Sequence, residues 1–164
     1  MIRLAEETDK KELRRIFDSA KAFMDMTGNP DQWPKGSPYD DEIADEIEKR
    51  RMHILYDEDG AYGAFIMFDT PDPTYAVIYD GQWKNDGTYR TIHRVASDHT
   101  RRGVFGEIME YASGDAEHIR MDTYKDNAVM QHVLEKHGFE RRGIIHLLNG
   151  SPRIAYEWEK EQDA

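Results

Sequence analysis

Three groups of residues in this sequence have types and spacings suited to chemistry. The longest is His93-Arg94-Val95-Ala96-Ser97-Asp98-His99-Thr100-Arg101-Arg102-Gly103-Val104-Phe105-Gly106-Glu107-Ile108, where a β-type run enters a basic turn with two glycines and then a helix-forming segment. Backbone N–H groups at the start of that helix, the positive end of its dipole and the charges of Arg101 and Arg102 together suit a pyrophosphate. The turn lacks the Gly-Lys-Ser/Thr ending of a Walker A loop and the Gly-x-Gly-x-x-Gly of a dinucleotide fold, and two glycines so spaced also mark ordinary loops. The second group is Ile119-Arg120-Met121-Asp122-Thr123-Tyr124-Lys125-Asp126-Asn127, followed by a segment ending Leu134-Glu135-Lys136-His137-Gly138-Phe139-Glu140. The third joins the loop Gly28-Asn29-Pro30-Asp31-Gln32-Trp33-Pro34 to Tyr75, Tyr79 and Trp83. Its rings and carboxylates suit an ammonium group, although Trp33 reads equally well as the core anchor of a long loop.

Other chemistries are disfavoured. With no cysteine there is no disulfide, thiolate nucleophile or Cys-ligated metal centre. The seven histidines suggest no metal site either: His132 and His137 lie five apart, unlike the i, i+4 pair of a zincin, and a turn separates His93 from His99.

These groups need elements to position them. A first helix is expected from Asp9, with Asp9 and Glu12 as a capping box and Leu13, Ile16, Phe17, Ala20 and Met24 on its core face. After a breaker-rich stretch, Ser37-Pro38 reads as an N-cap with proline at the first position of a second helix through Ile43 and Ile47. Short β-type runs follow at His53 to Tyr56, Tyr62 to Phe68 and Tyr75 to Tyr79, then a strand over Tyr89 to Ser97 and a helix through Ile108, Met109 and Ala112. His118 to Thr123 reads as a strand, and Ala128 to His137 as a helix with Met130, Val133 and Leu134 inward. Arg142 to Leu148 and Arg153 to Trp158 form a hairpin around Asn149-Gly150. This order predicts an α+β fold of three layers, a mixed, mostly antiparallel twisted sheet flanked by helices on both faces.

The chain is 164 residues long, the length of a single domain. Its 22 Lys and Arg against 33 Asp and Glu leave a net charge of −11, which argues against nucleic acid and against a polybasic membrane anchor. Three Trp, nine Tyr and six Phe argue against disorder despite a charged surface. No apolar run approaches the roughly 18 residues of a membrane span, and the first residues lack the regions of a signal peptide, so a cytoplasmic protein is expected. The runs Asp40-Asp41-Glu42 and Glu157 to Asp163 read as solvated surface, and exposed strand edges leave a homodimer open.

The basic turn together with the Asn127 segment and its Lys136-His137-Gly138-Phe139 ending resembles the GNAT superfamily of N-acetyltransferases. In that family a fourth strand leads into an Arg/Gln-x-x-Gly-x-Gly/Ala turn that cradles the pyrophosphate of acetyl-CoA, and a fifth strand ends near an Asn. The resemblance implies a single GNAT-like domain over 1–164, with acceptor-side helices and loop at 8–50, an acetyl-CoA-binding core at 89–139 and a C-terminal hairpin at 142–159. It gives Arg101 the Arg/Gln place, Gly106 the final glycine and Asn127 the cofactor-contacting asparagine, with Arg102, Gly103, Val104 and Phe105 completing the turn. Val95, Ala96 and Ser97 would offer backbone groups to the pantetheine arm. Two departures stand out: the first glycine of the turn falls on Val104, with Gly103 one residue earlier, and Leu134 replaces the tyrosine that in many relatives protonates the leaving thiolate.

The implied reaction moves acetyl from acetyl-CoA directly to an amine, with no metal. An amine of pKa near 10.4 is about 0.1% neutral near pH 7.4, a deficit of roughly 4 kcal/mol, so a base is needed. Asp122 stands where some relatives carry a glutamate base, and Tyr124 shares its strand face. The plainer reading of Asp122 is a structural partner of Arg94, Arg120 or Lys125. His93 is the second candidate base, its ordinary pKa lying near neutrality. Trp33, Tyr79 and Trp83 are the candidate acceptor residues, and the expected acceptor is a small cationic amine. The alternatives are an acyl-CoA-binding sensor without turnover and an acetyltransferase of peptide or protein amines.

Overall fold

Leu13, Ile16, Phe17 and Ala20 recur at helical spacing and are all buried in the computed structural model of the chain, which describes residues 1–162. Asp163 at the end of the expected charge run, and Ala164, lie outside the described residues. Among the described residues seven strands make one open mixed sheet: β1 (Ile2–Leu4), β2 (Met52–Asp57), β3 (Gly60–Phe68), β4 (Arg90–Ser97), β5 (His118–Thr123), β6 (Glu140–His146) and β7 (Pro152–Glu159), in the order β1-β2-β3-β4-β5-β7-β6. The helices are α1 (Lys10–Met26), α2 (Asp40–Glu48), α3 (Val104–Ala112) and α4 (Ala128–Lys136). β4 and β5 run parallel, whereas the β1–β2, β2–β3, β5–β7 and β7–β6 pairs are antiparallel. The α+β class and the mixed sheet expected from the sequence are therefore present.

The described residues divide into two compact units, residues 1–67 with 93–111, and residues 68–92 with 112–162. In the first, α1 presents its apolar stripe and ends where Thr27 turns its hydroxyl onto the Phe23 carbonyl, with Gly28 following at φ +84°. The capping box forms three residues earlier than expected. Glu6 and Asp9 make it across a 3₁₀ turn at Glu7–Asp9, because Arg3 holds both carboxylate oxygens of Asp9 at 2.7 and 2.9 Å. α2 begins at Asp40, not Pro38: Tyr39 is extended, and the Pro38 carbonyl accepts from Arg14 at 2.7 Å. Strand β1 was not expected, since three residues carry too little alternation to be read; it pairs with β2 through Ile2–Leu55, Arg3–Ile54 and Leu4–His53.

In the second unit, Tyr75 to Tyr79 is not a strand. Asp72 accepts from the Thr74 amide and hydroxyl, Pro73 sits at the first position, and Pro73–Tyr75 closes as a 3₁₀ turn that drives Tyr75 inward. Only Tyr79 keeps β character, bridging Ile144 through two backbone hydrogen bonds of 2.8 Å. Gly143 permits that approach, for a Cβ there would lie 2.5 Å from the Tyr79 carbonyl oxygen. The core of this unit joins Tyr75, Ile145 and Ala155, with Trp83, Tyr89 and Leu147 packed against it.

Candidate active site

In the first unit β4 leaves regular geometry at Arg94, whose φ of +54° is rare for a residue with a side chain. Three residues on, the chain enters a turn in which nearly every group is held. The Asp98 amide donates to Tyr62, and one oxygen of the Asp98 carboxylate accepts from the Thr100 amide and hydroxyl at 3.0 and 2.6 Å. Its other oxygen accepts from Arg15 of α1 at 2.9 Å. Burial pushes the Asp98 carboxyl up, but these hydrogen bonds outweigh it and leave the group below its ordinary value. His99 stacks on Phe23 of α1 with ring centroids 4.0 Å apart. Gly103 then takes φ +71°, and the first bond of α3 closes from the Glu107 amide to its carbonyl. An added Cβ at Gly103 would meet nothing within 4 Å, so the left-handed backbone alone calls for glycine.

The two arginines of this turn differ. Arg101 is committed to the β2–β3 turn: its Nε and Nη2 lie 2.9 and 2.8 Å from Asp57, Asp59 is 3.6 Å away, and its guanidinium lies over the Tyr62 ring. That pairing holds the Asp57 carboxyl below its usual range. Tyr62 donates to both oxygens of Glu107, and burial with that bond pushes its phenol up to about 12. Arg102 is exposed and makes no ion pair among the described residues. A left-handed glycine, an unpaired arginine and the start of a nine-residue helix fit an anionic pyrophosphate. Val104 and Phe105 are buried and Gly106 is half-buried, so the helix start is anchored from within. Of the strand residues expected to line the pantetheine arm, Ala96 is buried while Val95 and Ser97 are half-buried, as is His93.

Trp33 is 6% exposed and meets Phe17 edge to face at 6.1 Å, the packing of a core anchor. Its ring also carries the guanidinium of Arg94 at 4.9 Å, and Glu42 of α2 lies beside the same guanidinium.

In the second unit Asp122 of β5 accepts a 2.7 Å hydrogen bond from the hydroxyl of Tyr75, which is wholly buried. Burial, then the Asp122 charge, hold that phenol well above its ordinary value, so it serves as a donor. Of the expected partners of Asp122, Arg94 and Arg120 pair elsewhere, with Glu42 and Glu157. Lys125 lies 6.0 Å from the Tyr124 ring and Arg153 lies 4.7 Å from it. Asn127 caps α4, its Oδ1 accepting from the Met130 amide at 2.9 Å, and Leu134 is fully buried on that helix. Tyr79 is exposed beside His146, whereas Trp83 donates its Nε1 to the Tyr75 carbonyl and covers Arg120. Sequence reasoning missed Tyr75 as the partner of Asp122 and Glu42 as the partner of Arg94. Both partners are far away in the chain, and no local spacing signals either. Among the described residues no group of three or more His, Asp or Glu is placed to hold a metal ion, and no helix is long and apolar enough to cross a membrane.

No family model matches the sequence and no curated protein does. Solved structures do. An acetyltransferase of the GNAT family from Streptococcus agalactiae 2603 is 28% identical, with a TM-score of 0.87 over 99% of this chain and 96% of that one. The chain has the fold of GNAT-family acetyltransferases, which is consistent with an acyltransferase. A GNAT-family acetyltransferase from Listeria monocytogenes 4b F2365 shares that fold at 19% identity and a TM-score of 0.70, over 98% of this chain and 94% of that one. So does the NatC complex bound to Gag peptide and CoA, at 13% identity and a TM-score of 0.60, over 98% of both chains. The GNAT fold supports acetyl transfer in general. The braced turn before α3 lies in the segment where the sequence resembles the family's pyrophosphate cradle.

Proposed function

We propose that the chain transfers an acetyl group from acetyl-CoA to the primary amine of a small acceptor that arrives as an ammonium ion. One observation carries this reading: in a chain of net charge −11, an unpaired arginine, Arg102, stands beside a left-handed glycine at the start of a helix. Arg102 and the amides opening α3 would hold the pyrophosphate, while Arg101 stiffens the turn through Asp57. Backbone groups of Val95, Ala96 and Ser97 would align the pantetheine arm, and Asn127 fixes the start of α4. Acetyl-CoA supplies an activated thioester, whose carbonyl a backbone N–H near Ala96 would polarise.

The ammonium must lose a proton before it can attack. Asp122 is the preferred base, because the Tyr75 hydroxyl fixes one carboxylate oxygen and so orients the other. His93 is the second candidate, and Tyr124 would return a proton to the leaving thiolate. Trp33, Tyr79 and Trp83 would serve the acceptor side, Trp33 through the arginine it carries.

Calorimetric titration with acetyl-CoA, paired with free-thiol release over an amine panel that includes peptide N-termini, tests the reading. Micromolar binding and thiol release with small amines are expected. Binding without release on any acceptor would make the chain an acyl-CoA sensor, a reading that the buried Leu134 in place of the usual acid favours; absence of binding would overturn both. Asp122→Asn should remove most of the rate, and if His93→Ala alone does so the assignment of the base is wrong.

A further inference from the structure

Arg94 in the first unit is held in place, yet its surroundings look unfinished. Its backbone sits at φ +54°, a conformation that is unfavourable for a residue with a side chain and that persists where the surroundings impose it. The guanidinium lies 4.9 Å over the ring of buried Trp33, which fixes its plane. Its Nη2 reaches Glu42 at 3.3 and 3.4 Å, whereas Arg3, Arg15, Arg51 and Arg101 in the same unit hold their carboxylates at 2.7 to 2.9 Å. Nε and Nη1 meet no acceptor among the described residues, and the Arg94 side chain remains 21% exposed. A guanidinium has five N–H donors arranged to match a carboxylate in two parallel bonds. Here one edge of it is oriented, accessible and unused. Glu42 also has a second role: with Asp40 and Asp41 it fills the first turn of α2, where negative charge is favourable without any partner. Loosening its contact with Arg94 would therefore leave no charge stranded.

We propose that Arg94 is a carboxylate-binding, specificity-determining residue, and that the acceptor is an amine which also carries a carboxylate, as a free amino acid does. This rests on the acetyl-transfer reading and narrows its acceptor class. Trp33 holds the guanidinium plane, Glu42 keeps the empty site neutral, and the acceptor carboxylate takes the open edge while its amine is acetylated.

The test compares matched acceptors that differ only in the carboxylate: phenylalanine with phenethylamine, lysine with cadaverine, and alanine with ethylamine. Thiol release should favour the carboxylate member of a pair at least tenfold in kcat/KM. Arg94→Asn is the informative variant, since asparagine tolerates a left-handed backbone and the fold is kept. It should raise KM for the carboxylate member about tenfold or more while leaving the amine lacking it within twofold. A calorimetric arm needs no turnover: N-acetylphenylalanine should bind the wild-type chain and bind Arg94→Asn at least tenfold more weakly, with N-acetylphenethylamine indifferent to the change. Equal treatment of both members, in kinetics and in binding, would overturn the proposal. Failure to bind acetyl-CoA would instead overturn the acetyl-transfer reading, while the N-acetyl ligands still judge Arg94.

Discussion

Two arginines on successive strands of this protein stand at opposite ends of one scale. Arg120 on β5 is 5% exposed and closed in: Glu157 at 3.1 Å, the Asn85 carbonyl at 2.8 Å, and the rings of Trp83 and Tyr89 at 4.3 and 4.2 Å. Arg94 on β4 has one ring, one long contact and an open edge. Burying a guanidinium is tolerable only when its charge and donors are answered, so Arg120 has nothing left to offer a ligand. The unanswered donors of Arg94 are tolerable because water reaches them, and what water reaches a ligand can reach as well. Saturation of a charged group, more than its identity, separates the part of the molecule that holds shape from the part that can recognise something.

The sharpest way to break that comparison is to remove each arginine in turn. Arg120→Ala would leave Glu157, 1% exposed in its side chain, with the Lys84 amide and a 3.3 Å contact to Arg142 as its remaining partners. A loss of about 3 kcal/mol or more in urea unfolding is expected, because a buried charge is left uncompensated. Arg94→Asn should cost under about 1 kcal/mol, since relief of backbone strain offsets a weak, half-exposed pair. Equal losses would mean that the two sites do the same structural work.

Tyr75 tests the middle of the scale, a buried donor facing a half-buried acceptor. Tyr75→Phe keeps the ring packing but removes the bond to Asp122, and should cost about 1 to 2 kcal/mol. If Asp122 is the base, kcat should fall while KM for acetyl-CoA stays constant. A variant of unchanged kcat and reduced stability would make the pair purely architectural.

How much of this was legible in the sequence follows the same division. Elements with strong periodicity were readable: the α1 face of Leu13, Ile16, Phe17 and Ala20, and β5 from His118 to Thr123. The three residues of β1 carried no pattern, and the Asp72-Pro73 cap turned Tyr75 inward where alternation suggested a strand. At the site, the basic turn and Asn127 were legible as local motifs. The commitment of Arg101 to Asp57, 44 residues away, was not, nor was the hydroxyl of Tyr75 on Asp122, 47 residues away. Composition shows that a cation is present, but only the fold decides whether its charge is already answered.

Arg102 sharpens the comparison on the unsaturated side. Exposed and without an ion pair among the described residues, it contributes little to stability, and Arg102→Ala should unfold within about 0.5 kcal/mol of the parent. The apparent KM for acetyl-CoA should rise about fivefold with kcat little changed, as expected for lost uniform binding. The penalty should shrink as salt rises. Unchanged KM in low salt would show that the side chain does not meet the cofactor.

The smallest effect concerns the brace that holds the turn. The folded Asp98 carboxyl lies below its unfolded value of 3.8, the hydrogen bonds from Thr100 and Arg15 outweighing the cost of burial. A depressed carboxyl contributes stability that is fully present above the unfolded value and lost as pH falls through the folded one. Urea midpoints measured downward from pH 5 should therefore fall off below about pH 4, in the window that the lowered Asp98 value defines. Arg15→Gln removes one of the lowering interactions while Thr100 keeps its two, so the decline should become shallower without vanishing. It should also weaken acetyl-CoA binding slightly at neutral pH, because the α1 contact that fixes Asp98 is lost while the Asp57–Arg101 contact remains. Parallel pH curves for parent and variant would assign the lowered carboxyl to Thr100 alone and leave α1 no part in shaping the turn.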